Sequence, residues 1–235
     1  MTITKLLSKA VLLVSLSLMF PALANDIYIQ QSGDNLDLDI TQDGQNNIAG
    51  DSTTAIQLTG DTMTFNIDQV GDSNVVSAII NGNTYTGNID LTGSSNTVDL
   101  TCDSSGSNCE TVSMSIDVVD DSADITVTIG NTADAQNFVG TLDVAGGNSE
   151  TITITVNAVG STMDIDIDND ALGSSLGNTS NYTQSGDGDV NGHALTHSHT
   201  GEGGTIDITQ SGVYDNVIDL TTSGDNADID ITQSD

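Results

Sequence analysis

The sequence predicts an all-β chain wound as a two-sheet β-solenoid, and three observations carry that prediction. Aliphatic residues alternate with polar ones over short runs, as in "LDLDITQ" (36–42), "FNIDQ" (65–69), "TIDITQ" (205–210) and "ADIDITQ" (227–233), the period of a strand with one buried face. Glycines punctuate these runs: Gly33 and Gly44 are 11 apart, Gly60, Gly71, Gly82 and Gly93 continue in elevens, and Gly147, Gly160, Gly173 and Gly186 follow at 13. The turns share a vocabulary, "QSGDN" (31–35), "QDGQN" (42–46) and "TSGDN" (222–226), in which Gly and Asn tolerate positive φ. A strand and a turn, taken twice, make a coil of roughly 22–26 residues, and about 16 such arms stack into about 8 rungs. An antiparallel β-sandwich is the alternative. Gln and Asn at repeated offsets from the turn glycine favour the solenoid.

Taken in order, residues 1–24 read as a secretory signal peptide: Lys5 and Lys9 precede the apolar run "AVLLVSLSLMF", and "ALA" at 22–24 is a small-residue cleavage site. That run is too short to span a bilayer, and no later segment is longer, so the mature chain is expected outside the cell with no transmembrane segment. Residues 25–172 are solenoid repeats, with Leu36, Leu38, Ile40 and Gln42 inward and Asp37, Asp39 and Thr41 outward. Phe65, Ile67 and Gln69 repeat that face against Asn66 and Asp68. Cys102 and Cys109 flank a Ser/Gly/Asn loop, which in an exported chain predicts a loop-closing disulfide, with a two-cysteine metal site as the alternative. Residues 173–204 read as a Gly/Ser/His-rich irregular insertion. Residues 205–235 return to terminal repeats, with Ile206, Ile208, Gln210 and then Ile229, Ile231, Gln233 inward.

Charge excludes several functions. The two lysines lie in the leader, so the chain after residue 24 has neither Lys nor Arg against 34 Asp and Glu in all. Nucleic-acid binding, which depends on cationic phosphate contacts, is excluded, and anionic lipid surfaces are disfavoured. Such a chain suits divalent cations, a salty medium, or charge that keeps neighbours apart.

The run "IYIQQSGDNLDLDITQDGQNN" (27–47), with Gln31 and Gln42 eleven apart and Asn35 and Asn46 after the glycines, resembles the repeat of curlins, the subunits of bacterial curli fibres. Gln69 with Asn74 and Gln210 with Asn216 match one half-repeat each, and Asn226 and Gln233 continue the pattern. The opening serine of the curlin repeat is missing, and between about 100 and 200 only alternation and turns remain. The resemblance implies a secreted homopolymer that stacks end to end into an extracellular, amyloid-type fibre of a biofilm matrix. It also implies a nucleator subunit and an outer-membrane secretion pore. Inward Gln and Asn are expected to form stacked amide ladders.

Other residues suggest chemistry. "DIDIDND" (164–170) presents Asp164, Asp166, Asp168 and Asp170 on one face, a calcium candidate by ligand type but without the spacing of a known loop; solvent-facing gatekeepers are the plainer reading. His193, His197 and His199 fall in "GHALTHSHTGEGG", read as a polar surface loop that interrupts the repeat. The alternative is a transition-metal site of His197 and His199 with Glu202. No nucleophile–base spacing or phosphate loop stands out, so no enzyme is expected. A monomeric calcium-dependent adhesin is the alternative function. An ice- or mineral-facing protein would need Thr rows repeated at rung spacing, and "TITITV" (151–156) reads as an isolated run.

Overall fold

A computed structural model describes residues 26–102, 109–119, 122–130, 135–146, 150–168, 179–186, 193–201, 203–213 and 216–234. The signal peptide expected at 1–24, Asp170 and Glu202 lie outside the described residues, as do the side chains of Ile167 and Asp168. The strands are β1 (Asp26–Ile27), β2 (Gln30–Ser32), β3 (Asp37–Asp43), β4 (Ile48–Ala49), β5 (Ile56–Thr59), β6 (Met63–Val70), β7 (Val75–Asn81), β8 (Tyr85–Thr92) and β9 (Asn96–Cys102). They continue as β10 (Val112–Val119), β11 (Ala123–Ile129), β12 (Ala135–Ala145), β13 (Thr151–Asp168), β14 (Thr179–Ser185), β15 (His193–Thr200), β16 (Thr205–Ser211), β17 (Val217–Ser223) and β18 (Asp228–Ser234).

Every pairing among these strands is parallel and joins one coil to the next, which is a β-solenoid and rules out the antiparallel sandwich. Sheet A runs β1/β2, β4/β5, β7, β9, β11, the first part of β13, β14, β16, β18. Sheet B runs β3, β6, β8, β10, β12, the second part of β13, β15, β17. The step between coils varies more than the sequence predicts, from 22 residues (Met63↔Tyr85) through 27 (Asp37↔Thr64) to 32 (Ser161↔His193). Corners absorb the difference, because extra residues can leave the coil there without breaking the ladders on either side.

The expected irregular insertion at 173–204 needs correction. β14 and β15 lie within it, and both pair in register with the coils before and after. Among the described residues the ladders therefore run through this region without a break. The alternation "HALTHSHT" is a strand pattern whose inward residues include three histidines, a residue type that a reading by polarity assigns to a surface.

Alternation also sets the core. In β6 Met63, Phe65, Ile67 and Gln69 are buried while Asn66 and Asp68 are exposed, as expected from the sequence. One sheet B column alternates large and small, Phe65, Gly87, Met114, Gly140, Met163. A methyl on Gly87 would lie 2.7 Å from the Met114 sulfur and closer still to the Phe65 ring, so the glycine is the space that the large neighbours fill. At one corner Gly33, Gly60 and Gly82 stack with φ of 132°, 143° and 138°. A side chain on Gly60 would collide with the Gly33 carbonyl of the rung beneath. Only glycine combines that φ with that approach.

The two ends differ from the middle. Ile27, Ile29, Leu36 and Leu38 at one end, and Ile218 and Leu220 at the other, are only partly buried. On the last rung Ile229 and Ile231 are 39% and 45% exposed.

Candidate functional site

The inward polar residues form ladders of limited length. Gln69 Nε2 donates to Gln42 Oε1 at 2.5 Å in sheet B. In sheet A Gln210 donates to Gln184 at 2.5 Å and Gln233 to Gln210 at 2.9 Å. Gln184 Nε2 also donates to Ser161 Oγ at 3.0 Å, and Ser161 Oγ lies 2.8 Å from His193 Nδ1. The serine oxygen accepts from Gln184, and the direction of its hydrogen bond with Nδ1 follows the imidazole tautomer. A buried polar chain thus runs from His193 to the end of the molecule. Gln31 is half-buried and pairs in register with Leu58 rather than another amide. Gln184 was not anticipated, although "NYTQSG" (181–186) carries the same Gln-Ser-Gly turn as "IQQSG" (29–33).

The asparagine ladder holds Asn74 as expected, but its partners are Asn47, one residue beyond the expected Asn46, and Asn96, which was not anticipated. Asn47 Nδ2 donates to Asn74 Oδ1 at 3.3 Å and Asn74 Nδ2 to Asn96 Oδ1 at 3.0 Å. Each also caps a strand carbonyl: Asn47 donates to Val70 O at 2.8 Å and Asn74 to Thr92 O at 2.9 Å. Asn35, Asn46 and Asn226 instead take left-handed turn positions, with φ of 63°, 55° and 66°, and are exposed. The rule is positional: an Asn two residues after the turn glycine makes the turn, and one three residues after it enters the ladder. Asn216 is outside both groups, its Oδ1 accepting the His193 backbone N–H at 3.1 Å.

The histidines are core residues, not a surface loop. His193, His197 and His199 all point inward from β15 and are 2% exposed or less. Tyr182 of β14 lies 5.1 Å from His197, and the His197 and His199 rings are 6.2 Å apart. Neither ring nitrogen of His197 has a hydrogen-bond partner. Burial, with His199 alongside, pushes His197 down to about 4. Burial lowers His193 and His199 as well, the Gly186 and Gly203 backbones working the other way, and it raises the Tyr182 phenol. Among the described residues no three His, Cys, Asp or Glu side chains are grouped to hold a metal ion. Cys102 and Cys109 are joined with their Cα atoms 6.1 Å apart, as the loop-closing reading expects.

Stacking creates two outer columns that no local stretch displays. On sheet B, Asp68, Asp90, Asp117, Asp143 and Asp166 fall in one register column, about 4.8 Å from rung to rung. Burial, then Asp143 and Asp90, raise the Asp117 carboxyl. Of the expected calcium set, Asp164 and Asp166 are exposed on β13, but it is Asp166 alone that joins this column. On sheet A the column is Thr101, Thr128, Thr155, Thr183, Thr209 and Thr232. Thr126 and Thr153 are paired beside it, so "TITITV" is not isolated: threonine rows do recur at rung spacing, concealed by steps of 23 to 28 residues.

No family model, curated protein or solved structure matches the chain. The functional reading rests on the ladders, the columns and the two ends. No helix among the described residues is long and apolar enough to cross a membrane.

Proposed function

We propose that the chain is a secreted structural subunit that adds end to end into an extracellular fibre of the curli type, started by a nucleator and exported through an outer-membrane pore. The observation that carries this reading is the likeness of its two ends. The first sheet A rung reads "DIYIQQS" (26–32) and the last "DIDITQS" (228–234), so a second copy meets Ile with Ile and Gln with Gln. Among the described residues both are open β-edges, with partly buried Ile27 and Ile29 on one and exposed Ile229 and Ile231 on the other that another strand would cover. The aspartate column opposes sideways association, since neighbouring charges at that spacing repel by about 1 kcal/mol at water's dielectric. Calcium would neutralise it and speed growth.

Negative-stain microscopy and a thioflavin T time course on residues 25–235, in calcium and in EDTA, test the reading. Unbranched dye-binding fibres are expected in both, sooner with calcium, and Ile229→Asp with Ile231→Asp abolishes them. Monodisperse wild-type particles in both buffers would refute it. Particles that gain β-signal only with calcium would instead support a calcium-dependent adhesin. The threonine column favours a second reading, a flat hydroxyl-and-methyl face that orders water or meets ice. Inhibition of ice recrystallisation that is lost in Thr155→Tyr would support it.

A further inference from the structure

The rung count sets a condition on any joint between copies. From Asp26 to Ser234 the described strands give nine rungs in sheet A but eight in sheet B, because the first and the last of them both lie in sheet A. Successive arms alternate between sheets, each climbing half a rung. A copy placed with residues 26–32 directly on β18 therefore leaves β17 and the next copy's β3 two rung spacings apart, ~9.6 Å. One strand is then missing from sheet B at every joint. Ile218 and Leu220 on one side, and Leu38 and Ile40 on the other, would face a water-filled slot, with both backbone edges unpaired.

Pairing β17 directly on β3 closes the slot but puts two segments in one place on sheet A: β18 of the first copy and residues 26–32 of the second. These are the segments that share Asp, Ile, Ile, Gln and Ser at matching positions, so either fits. They are not held equally. β18 pairs with β16 over an unbroken run from Asp228 to Ser234. Residues 26–32 pair with β4 and β5 in two pieces, Asp26 and Ile27, then Gln30 to Ser32 with the Ile29 carbonyl accepting the Gln57 N–H, because residues 50–55 interrupt the partner strand.

We propose that subunits join by strand exchange: β18 of one copy displaces residues 26–32 of the next from β4 and β5, while β17 pairs with β3. This rests on the fibre reading and on a chain that begins at Asn25. Exchange makes Gln233 the register mate of Leu58 in the next copy, where Gln31 stood, and sets Thr232 beside Gln57. Rigid stacking sets Thr232 beside Gln30 instead.

Mixed fibres of single-cysteine variants of residues 25–235 distinguish these joints, since all three positions are exposed. Thr232→Cys with Gln57→Cys is expected to give covalent dimers on oxidation, and Thr232→Cys with Gln30→Cys is not; the reverse result overturns exchange while leaving the fibre intact. A second measurement removes residues 26–32, with circular dichroism to check that the remaining rungs fold. Exchange predicts growth no slower than wild type, and loss of growth by the folded deletion variant overturns it. If the wild-type chain forms no fibres, the fibre reading itself fails, and exchange with it.

Discussion

His197 shows how much one inward position can decide. Its column neighbours are Ile165 and Leu220, so the ring occupies an aliphatic slot and stays neutral because burial penalises its charge. The folded value, about 4, lies below the ordinary 6.5, so acidification loads the unfolded chain with a proton that the folded chain refuses. Stability present above pH 6.5 is therefore lost as pH falls toward 4, on the order of 3 kcal/mol from this residue. Thermal melts of wild type and His197→Leu between pH 6.5 and 5, above the carboxylate range, should show a falling Tm in the first and a flatter one in the second. Gln210 is the middle of the three stacked glutamines, donating to Gln184 and accepting from Gln233. Gln210→Ala orphans a buried oxygen and should cost about 1–3 kcal/mol, read as a shift in the denaturant midpoint. Gly87→Ala, by overpacking against Phe65 and Met114, should cost about as much.

Among the elements, the two sheets carry different outer chemistry. Sheet B holds the carboxylate column, and Asp117 at its centre has both upper and lower neighbours. Its raised carboxyl means that ionisation disfavours the fold. The stability it permits is complete below its ordinary 3.8 and is lost as pH rises through the raised value. Asp117→Asn should therefore melt higher than wild type at neutral pH and level with it in acid. The difference should shrink in high salt, which screens exposed charges. Sheet A offers threonines, whose β-branch suits a strand and whose hydroxyl is neutral. Its threonine column stacks without the repulsion that the sheet B carboxylates bear, and Asp207 over Asp230 on the last rungs is the stacked carboxylate pair beside it.

For the whole molecule, each coil contacts only its neighbours, so stability accumulates rung by rung and the ends are the weakest part. Polar ladders lie toward those ends: Gln42 and Gln69 near the start, Gln184, Gln210 and Gln233 near the finish. The sheet A column of the last three is apolar before them, Leu58, Ile80, Cys102, Ile129, Val156, and the sheet B column of Gln42 and Gln69 is apolar after them, Leu91, Val118, Val144. In the fibre we propose, amides at an end present donors and acceptors to the next copy; in the single chain the aliphatics supply the dry core. Hydrogen exchange should accordingly protect β8 to β12 most and β1, β2, β17 and β18 least in the monomer. Protection of the four end strands should rise on fibre formation.

Alternation and turn glycines determined the strands, the inward faces and the solenoid, because period 2 and positive φ are local properties of the chain. The sequence by itself also determined the lack of Lys and Arg after residue 24 and the pairing of Cys102 with Cys109. Column membership was decided only in three dimensions, because coil steps from 22 to 32 residues place Asp68 over Asp90 and Thr155 over Thr183 without any fixed spacing. The same applies to Asn47, whose ladder place depends on the turn that Asn46 makes, and to β15, whose histidines look like surface residues until the neighbouring coils bury them. The odd number of arms among the described residues, and with it the unequal ends of the two sheets, likewise emerges only when each of these strands has been assigned to its sheet. Local sequence fixes which way a side chain points; the coil lengths between strands fix what it meets there.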